Sequence, residues 1–286
     1  PFFLYIYQMT EKQTEQELLM QFIEEDCYVD PKEKVDYPPV ALSFGEKVIR
    51  YKSGDVIVPI SLASFGNLSV ITAPPKTKKT FFVSLLASVF LSGQNEYGGD
   101  LKGHRGEGHL VHIDTEQSKW HCQKVFRRPH DMDKGIKSEK YHTFGLRSIN
   151  HKMRIEFIEH YLRNKIDKPS LVIIDGIADL CADANSISES SQLVQKLMEW
   201  SSVFNCHIIN VIHQNFGSAK LGTGHLGSFL EKKAETVISL EANTVNKDWV
   251  TVRCGRSRGF TFDTFSFEVN DFGIPVIVGN LYDPLK

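Results

Sequence analysis

The segment Ala73-Pro74-Pro75-Lys76-Thr77-Lys78-Lys79-Thr80 joins the apolar run LSVIT (68–72) to a helical stretch, and its spacing is that of GxxxxGK[ST]. A loop between a strand and a helix start can cradle phosphates, because the first turn presents unpaired N–H donors and the positive end of the helix dipole. In this reading Lys79 reaches the terminal phosphates and the Thr80 hydroxyl holds Mg²⁺. The two glycine positions, however, hold Ala73 and Lys78. Where the second needs positive φ or close approach of backbone to phosphate, lysine costs on the order of 1 kcal/mol or more.

Three further segments end in groups that would complete such a site. LVIID (171–175) ends in Asp175, whose carboxylate suits Mg²⁺ bound through water. LVHID (110–114) runs into Thr115 and Glu116, a second carboxylate at a strand C-terminus that can polarise an attacking water. HIINVI (207–212) leads to His213-Gln214-Asn215, a cluster able to bond a γ-phosphate and report its loss to the next loop. That loop, Phe216 to Phe229, carries Gly217, Gly222, Gly224 and Gly227 for rearrangement, with Lys220 and His225 as contacts to a nucleic-acid backbone.

The elements that must position these groups are legible in the hydrophobic pattern. The four near-continuous apolar runs read as parallel strands buried on both faces, forming a central sheet. Phe82, Leu85, Leu86, Val89 and Phe90, and likewise Leu193, Val194, Leu197 and Met198, follow helical spacing and read as crossover helices. TVISL (236–240), WVTVRC (249–254), FSFEV (265–269) and PVIV (275–278) are joined by short polar turns, which predicts antiparallel strands extending one sheet edge. GQNEYGGDLKGHRGEG (93–108), rich in glycine and charge, reads as a flexible surface excursion. Upstream, Leu18, Leu19, Phe22 and Ile23 among polar residues predict a short amphipathic helix over 9–26, and YVDPKEKVDYPP an extended linker. Residues 1–8 are set aside as an appended or upstream segment. The expected organisation is therefore a helix and linker over 9–40 and one domain over 41–286.

Thirty-three Lys and Arg against 35 Asp and Glu give a net charge of -2, which excludes a histone-like basic coat and leaves only local basic patches for nucleic acid. The five cysteines contain no CxxC pair, so zinc-ribbon and thioredoxin motifs are excluded and a reducing cytoplasm is the expected location. No apolar run approaches the ~20 residues of a membrane helix, and no membrane partner is expected.

The order of these motifs resembles the RecA-like ATPases, and more narrowly the RepA-like branch of hexameric P-loop ATPases, an AAA-type family from bacterial mobile-element replication or mobilisation modules. The likeness spans roughly residues 60–280 and rests on GNLSVITAPPKTKKTFF, HIDTEQSKWHCQKV, LVIIDGIADL, VIHQN and GHLGSFLEKKAETVISL. It implies an α/β fold with a RecA-like P-loop core: a mostly parallel central sheet flanked by helices, with C-terminal antiparallel strands. The strand ending at Gln214 would lie between the phosphate-loop strand and the Asp175 strand. ATP and Mg²⁺ are the implied cofactors, and Glu116 the implied catalytic carboxylate. A hexameric ring or filament with nucleotide at its interfaces is implied, as is single-stranded DNA at the 216–229 loop. In Arg253-Cys254-Gly255-Arg256-Ser257-Arg258 the likeness makes Arg256 and Arg258 the pair that reaches a neighbour's nucleotide. The competing function is a non-catalytic, nucleotide-gated assembly or DNA-binding module, which Lys78 favours; the polar identities of Glu116, Asp175 and Gln214 favour an enzyme.

Overall fold

The structure is a computed structural model and describes residues 2–52, 54–93, 97–214 and 224–278. The chain divides into two compact units, Pro1–Tyr37 and Pro38–Lys286. In the first, one helix, α1, runs from Phe2 to Cys27 and so begins seven residues before Met9. No proline or glycine lies between Phe2 and Cys27, so nothing in the sequence ends the helix at Met9. Leu18, Leu19, Met20, Phe22 and Ile23 are all exposed. The segment after it makes a turn in which Lys32 N donates to Asp30 Oδ1 at 2.8 Å.

The second unit opens with a hairpin of β1 (Val40–Tyr51) and β2 (Gly54–Ser64), which no motif in the sequence reading anticipates. It continues through β3 (Leu68–Ala73), α2 (Lys79–Ser92), β4 (Leu101–Gly103), β5 (His109–Asp114), α3 (Lys119–Met132) and β6 (Tyr141–Gly145). Then follow α4 (His151–Asn164), β7 (Pro169–Asp175), α5 (Ile187–Val203), β8 (His207–His213) and α6 (Gly224–Lys233). Strands β9 (Thr236–Ala242), β10 (Trp249–Ser257), β11 (Phe265–Val269) and β12 (Pro275–Ile277) end the described chain.

Nine strands form the main sheet in the order β12-β11-β10-β9-β3-β8-β7-β5-β6, and β2-β1-β4 form a small one. Strand β8 therefore lies between β3 and β7, parallel to both. The antiparallel section starts one strand later than expected, because β9 pairs parallel with β3 and only β10, β11 and β12 run antiparallel. The physical reason is that α6 carries the chain back across the sheet before β9, making it a crossover strand and not a hairpin strand.

Residues on the central strands alternate between two cores. In β7, Leu171 and Ile173 join the cluster built around α2, whereas Val172 and Ile174 join the one that includes residues of α4, α5 and α6. Burial on both faces explains why these strands are apolar throughout. The 93–108 segment is not wholly a surface excursion: Leu101 is buried and β4 pairs with β1, locking that part of it against α2. Residues 224–229, read as the end of a mobile loop, form the start of α6, because Leu226 and Leu230 stand one helical turn apart and are buried.

Candidate functional site

The phosphate loop follows β3 directly. Ala73 ends that strand fully buried, and its φ is not positive, so alanine meets no backbone penalty at the first glycine position. Lys78 does: φ 57° and ψ 28° place it in the left-handed region immediately before α2, where a glycine would be unstrained. Its side chain is tethered, with Nζ donating to the Asp248 carbonyl at 2.6 Å. Lys76 also has positive φ, at 66°. The Thr77 hydroxyl donates to the Pro74 carbonyl at 2.5 Å, tightening the loop.

Lys79 and Thr80 open α2 and line a cleft of about 270 Å³. From the ends of β5, β7 and β8 the same cleft receives Glu116, Asp175 and His213. Lys79 Nζ lies 2.8 Å from His213 Nδ1, and His213 Nε2 lies 3.7 Å from Glu116 Oε1. Burial pulls the Lys79 ammonium below its ordinary pKa, against the attraction of Asp175 and Glu116. The His213 ring holds the Glu116 carboxyl below the usual carboxylate range, opposed by partial burial. Asp175 is pushed up to about 7, first by burial and then by the nearby Asp114 and Glu116 charges.

The donor set fits Mg²⁺ of the kind bound largely by phosphate oxygens and water. The buried Asp175 Oδ2 has no hydrogen-bond partner, and the Thr80 side chain lines the same cleft. No group of three or more His, Cys, Asp or Glu able to hold a metal occurs among the described residues, so an all-protein cage is absent there.

Other predicted positions lie elsewhere. Gln214 is buried outside the cleft lining; its backbone N donates to the Ala73 carbonyl at 3.0 Å and its Nε2 to Thr72 Oγ1 at 3.2 Å. His225 is exposed on the first turn of α6. Asn215 and Lys220 lie outside the described residues. Arg256 is exposed on β10, and Arg258 Nη2 donates to the carbonyls of Lys232 and Lys233 at 3.4 and 3.0 Å, closing the end of α6. Neither arginine lines the cleft of its own chain.

Sequence reasoning missed Asp114, Gln117 and Arg128. Asp114 sits opposite Asp175 in the β5–β7 register, and its carboxylate accepts from Glu116 N, Gln117 N and Gln117 Nε2 at 3.0, 2.7 and 2.8 Å. The signal was present: LVHID and LVIID both end in aspartate. Arg128 reaches from α3 to Ser84 Oγ at 2.7 Å and lies 4.0 Å over the Phe81 ring, bracing the start of α2. At Gly176, with φ 94°, a Cβ would collide with the Thr115 and Glu116 side chains, so glycine is required beside the acidic cluster.

Solved structures similar to this chain share its fold. A structure of an ATPase domain matches with TM-score 0.55 and 16% identity over 74% of this chain and 85% of that one. A DnaB-like replicative helicase, in a structure describing its interactions with primase, matches at 0.54 and 15% identity, over 75% of this chain and 58% of that one. The RadB recombinase matches at 0.51 and 15% identity, over 74% and 91%. The shared architecture is the RecA-like P-loop core with its mostly parallel sheet. No curated protein sequence matches the chain. The family model described as "AAA domain" matches residues 58–219, more than half of the chain, which therefore belongs to the AAA domain family.

Proposed function

We propose that the chain binds and hydrolyses ATP as a RecA-fold, helicase-like motor acting on DNA in the replication or mobilisation of a bacterial mobile element. The observation that carries this reading is the convergence of Lys79, Thr80, Glu116, Asp175 and His213 on one cleft from the ends of β3, β5, β7 and β8. Lys79, now hydrogen-bonded to His213, would exchange that partner for a phosphate oxygen, and the N–H groups of the first α2 turn would hold the remaining oxygens. Mg²⁺, when bound, neutralises phosphate charge; Thr80 and Asp175 are the residues that would hold it. Glu116, kept ionised beside His213, would orient and polarise the attacking water. His213, released by Lys79, would answer the presence or loss of the terminal phosphate at the start of the following loop.

The DNA and assembly parts rest on the motif order and on the nature of the similar proteins, a replicative helicase and a recombinase. In this reading the chain works as a homo-oligomer, a hexameric ring or filament. Lys220 and His225 would touch single-stranded DNA, and Arg256 and Arg258 would act across a subunit interface. The left-handed Lys78 favours one second reading, a nucleotide-gated assembly that binds ATP without turnover. Mg²⁺-dependent hydrolysis measured with and without single-stranded DNA separates the two: turnover excludes the inert assembly, and tight binding without turnover excludes the motor.

A further inference from the structure

A second cavity, of about 840 Å³, opens between α3 and the connection from β6 to α4. Its volume falls within the ~300–1,000 Å³ of ligand-binding clefts. Lys119, Arg127, His130 and Arg147 line it, Phe126 and Cys122 give it an apolar part, and no lining residue is acidic. Arg127 shares an exposed ion pair with Asp131 at 3.3 Å, whereas Lys119 and Arg147 have no ion-pair partner among the described residues. Helix α3 as a whole carries Lys119, Lys124, Arg127 and Arg128 against the single acid Asp131. It also exposes Trp120, with the Lys124 ammonium 3.7 Å from the ring centroid.

Cations set around the Phe126 ring and the His130 imidazole, in a cleft lined by no carboxylates, match the chemistry of phosphodiester-linked bases: the guanidinium and ammonium groups meet phosphates, and the Phe126 ring meets a base face. We infer that this cavity binds a segment of single-stranded nucleic acid, with phosphates on Lys119, Arg127 and Arg147 and a base against Phe126. None of its lining residues belongs to the 216–229 segment. An acidic peptide without aromatic residues would satisfy the cations but bring no ring to stack on Phe126.

The cavity also has a route to the phosphate loop. Gln117 lines both clefts and holds the Asp114 carboxylate through its backbone N and its Nε2. A strand in the cavity therefore contacts a residue that fixes Asp114 beside Glu116. This coupling, unlike the binding itself, rests on the ATPase reading.

Anisotropy of a labelled oligothymidylate, titrated without nucleotide over a salt series, tests the site. The double variant Arg127→Ala/Arg147→Ala should flatten the log–log salt slope by about 1.4, at ~0.7 for each phosphate left without its guanidinium. Oligonucleotides carrying 4-thiothymidine should cross-link within residues 117–148, and unlabelled strand should displace the probe where a free mononucleotide or an acidic peptide does not. An unchanged slope, no cross-link within 117–148, or equal displacement by mononucleotide or peptide would overturn the inference. The double variant should still bind a fluorescent ATP analogue. Failure of the wild-type chain to bind that analogue would end the ATPase reading and leave this strand-binding measurement intact.

Discussion

Lys78 shows how a single residue can carry both the resemblance and the departure from it. Its left-handed backbone is the conformation that a phosphate-loop glycine normally supplies, and its Nζ bond to the Asp248 carbonyl ties the loop to the turn before β10. Replacing it by glycine or by alanine removes that tether equally, so the two variants differ mainly in backbone strain. Lys78→Gly should be more stable than Lys78→Ala by about 1 kcal/mol, read from denaturant unfolding. Equal stabilities would mean that position 78 does not hold positive φ in solution. The strained position was legible from spacing alone, because Lys78 occupies the second glycine of the motif. What spacing could not show is that Ala73 needs no glycine, which depends on where β3 ends. Gln214 was legible as a strand-end polar group, but its burial against Thr72, outside the cleft, depends on the β3–β8 register.

At the scale of elements, the central strands bury polar side chains whose titration contributes to the pH dependence of stability. His112, in the middle of β5, is fully buried, with Nδ1 2.8 Å from the Tyr141 hydroxyl, and burial drives its pKa down to about 3. Burial likewise lowers the pKa of His207 in β8, which bonds the Ser64 carbonyl and Ser69 Oγ. Between about pH 6.5 and 3 the unfolded chain takes up a proton at His112 that the folded chain refuses, so the contribution of His112 to stability is complete above that range and is lost as pH falls through it. The slope from this one residue reaches about 1.4 kcal/mol per pH unit. His112→Gln, which keeps a polar partner for Tyr141, should reduce the slope near pH 5 by about that amount in pH-dependent unfolding. An unaltered slope would show that the ring already titrates normally in the folded state. The four apolar core strands and the helix packed after the phosphate loop were readable because burial on both faces leaves continuous apolar runs. The β1–β2 hairpin and β6 were not: β1 and β2 bury only one end each, and YHTFG at β6 is short and half polar. The parallel course of β9 was hidden because strand direction depends on the preceding crossover, which no local pattern records.

At the scale of the whole molecule, the proposed motor needs subunits that complete one another. Within its own chain Arg258 is occupied by the carbonyls that end α6, and neither it nor Arg256 lines the phosphate-loop cleft, so an action on phosphate would be on a neighbour's. Arg258→Ala should lower turnover of the assembly by roughly 10³–10⁵. Mixed with Glu116→Gln subunits, it should regain activity, because some interfaces then pair an intact Glu116 with an intact Arg258. If mass measurement demonstrates subunit exchange and the mixture stays inactive, the trans role of Arg258 is wrong and its bond to α6 is its whole function. All of this depends on the cleft at the end of β3 being a nucleotide site. The direct measurement is titration of a fluorescent ATP analogue, with and without Mg²⁺, into the wild-type chain and Lys79→Ala. A nucleotide site there gives saturable, Mg²⁺-strengthened binding to the wild type that Lys79→Ala weakens at least about tenfold, as removal of one charge-assisted hydrogen bond to phosphate implies, while both chains unfold cooperatively at similar temperatures. Equal binding by the two chains, or no saturable binding by the wild type, would contradict it and leave residues 73–80 as a basic turn.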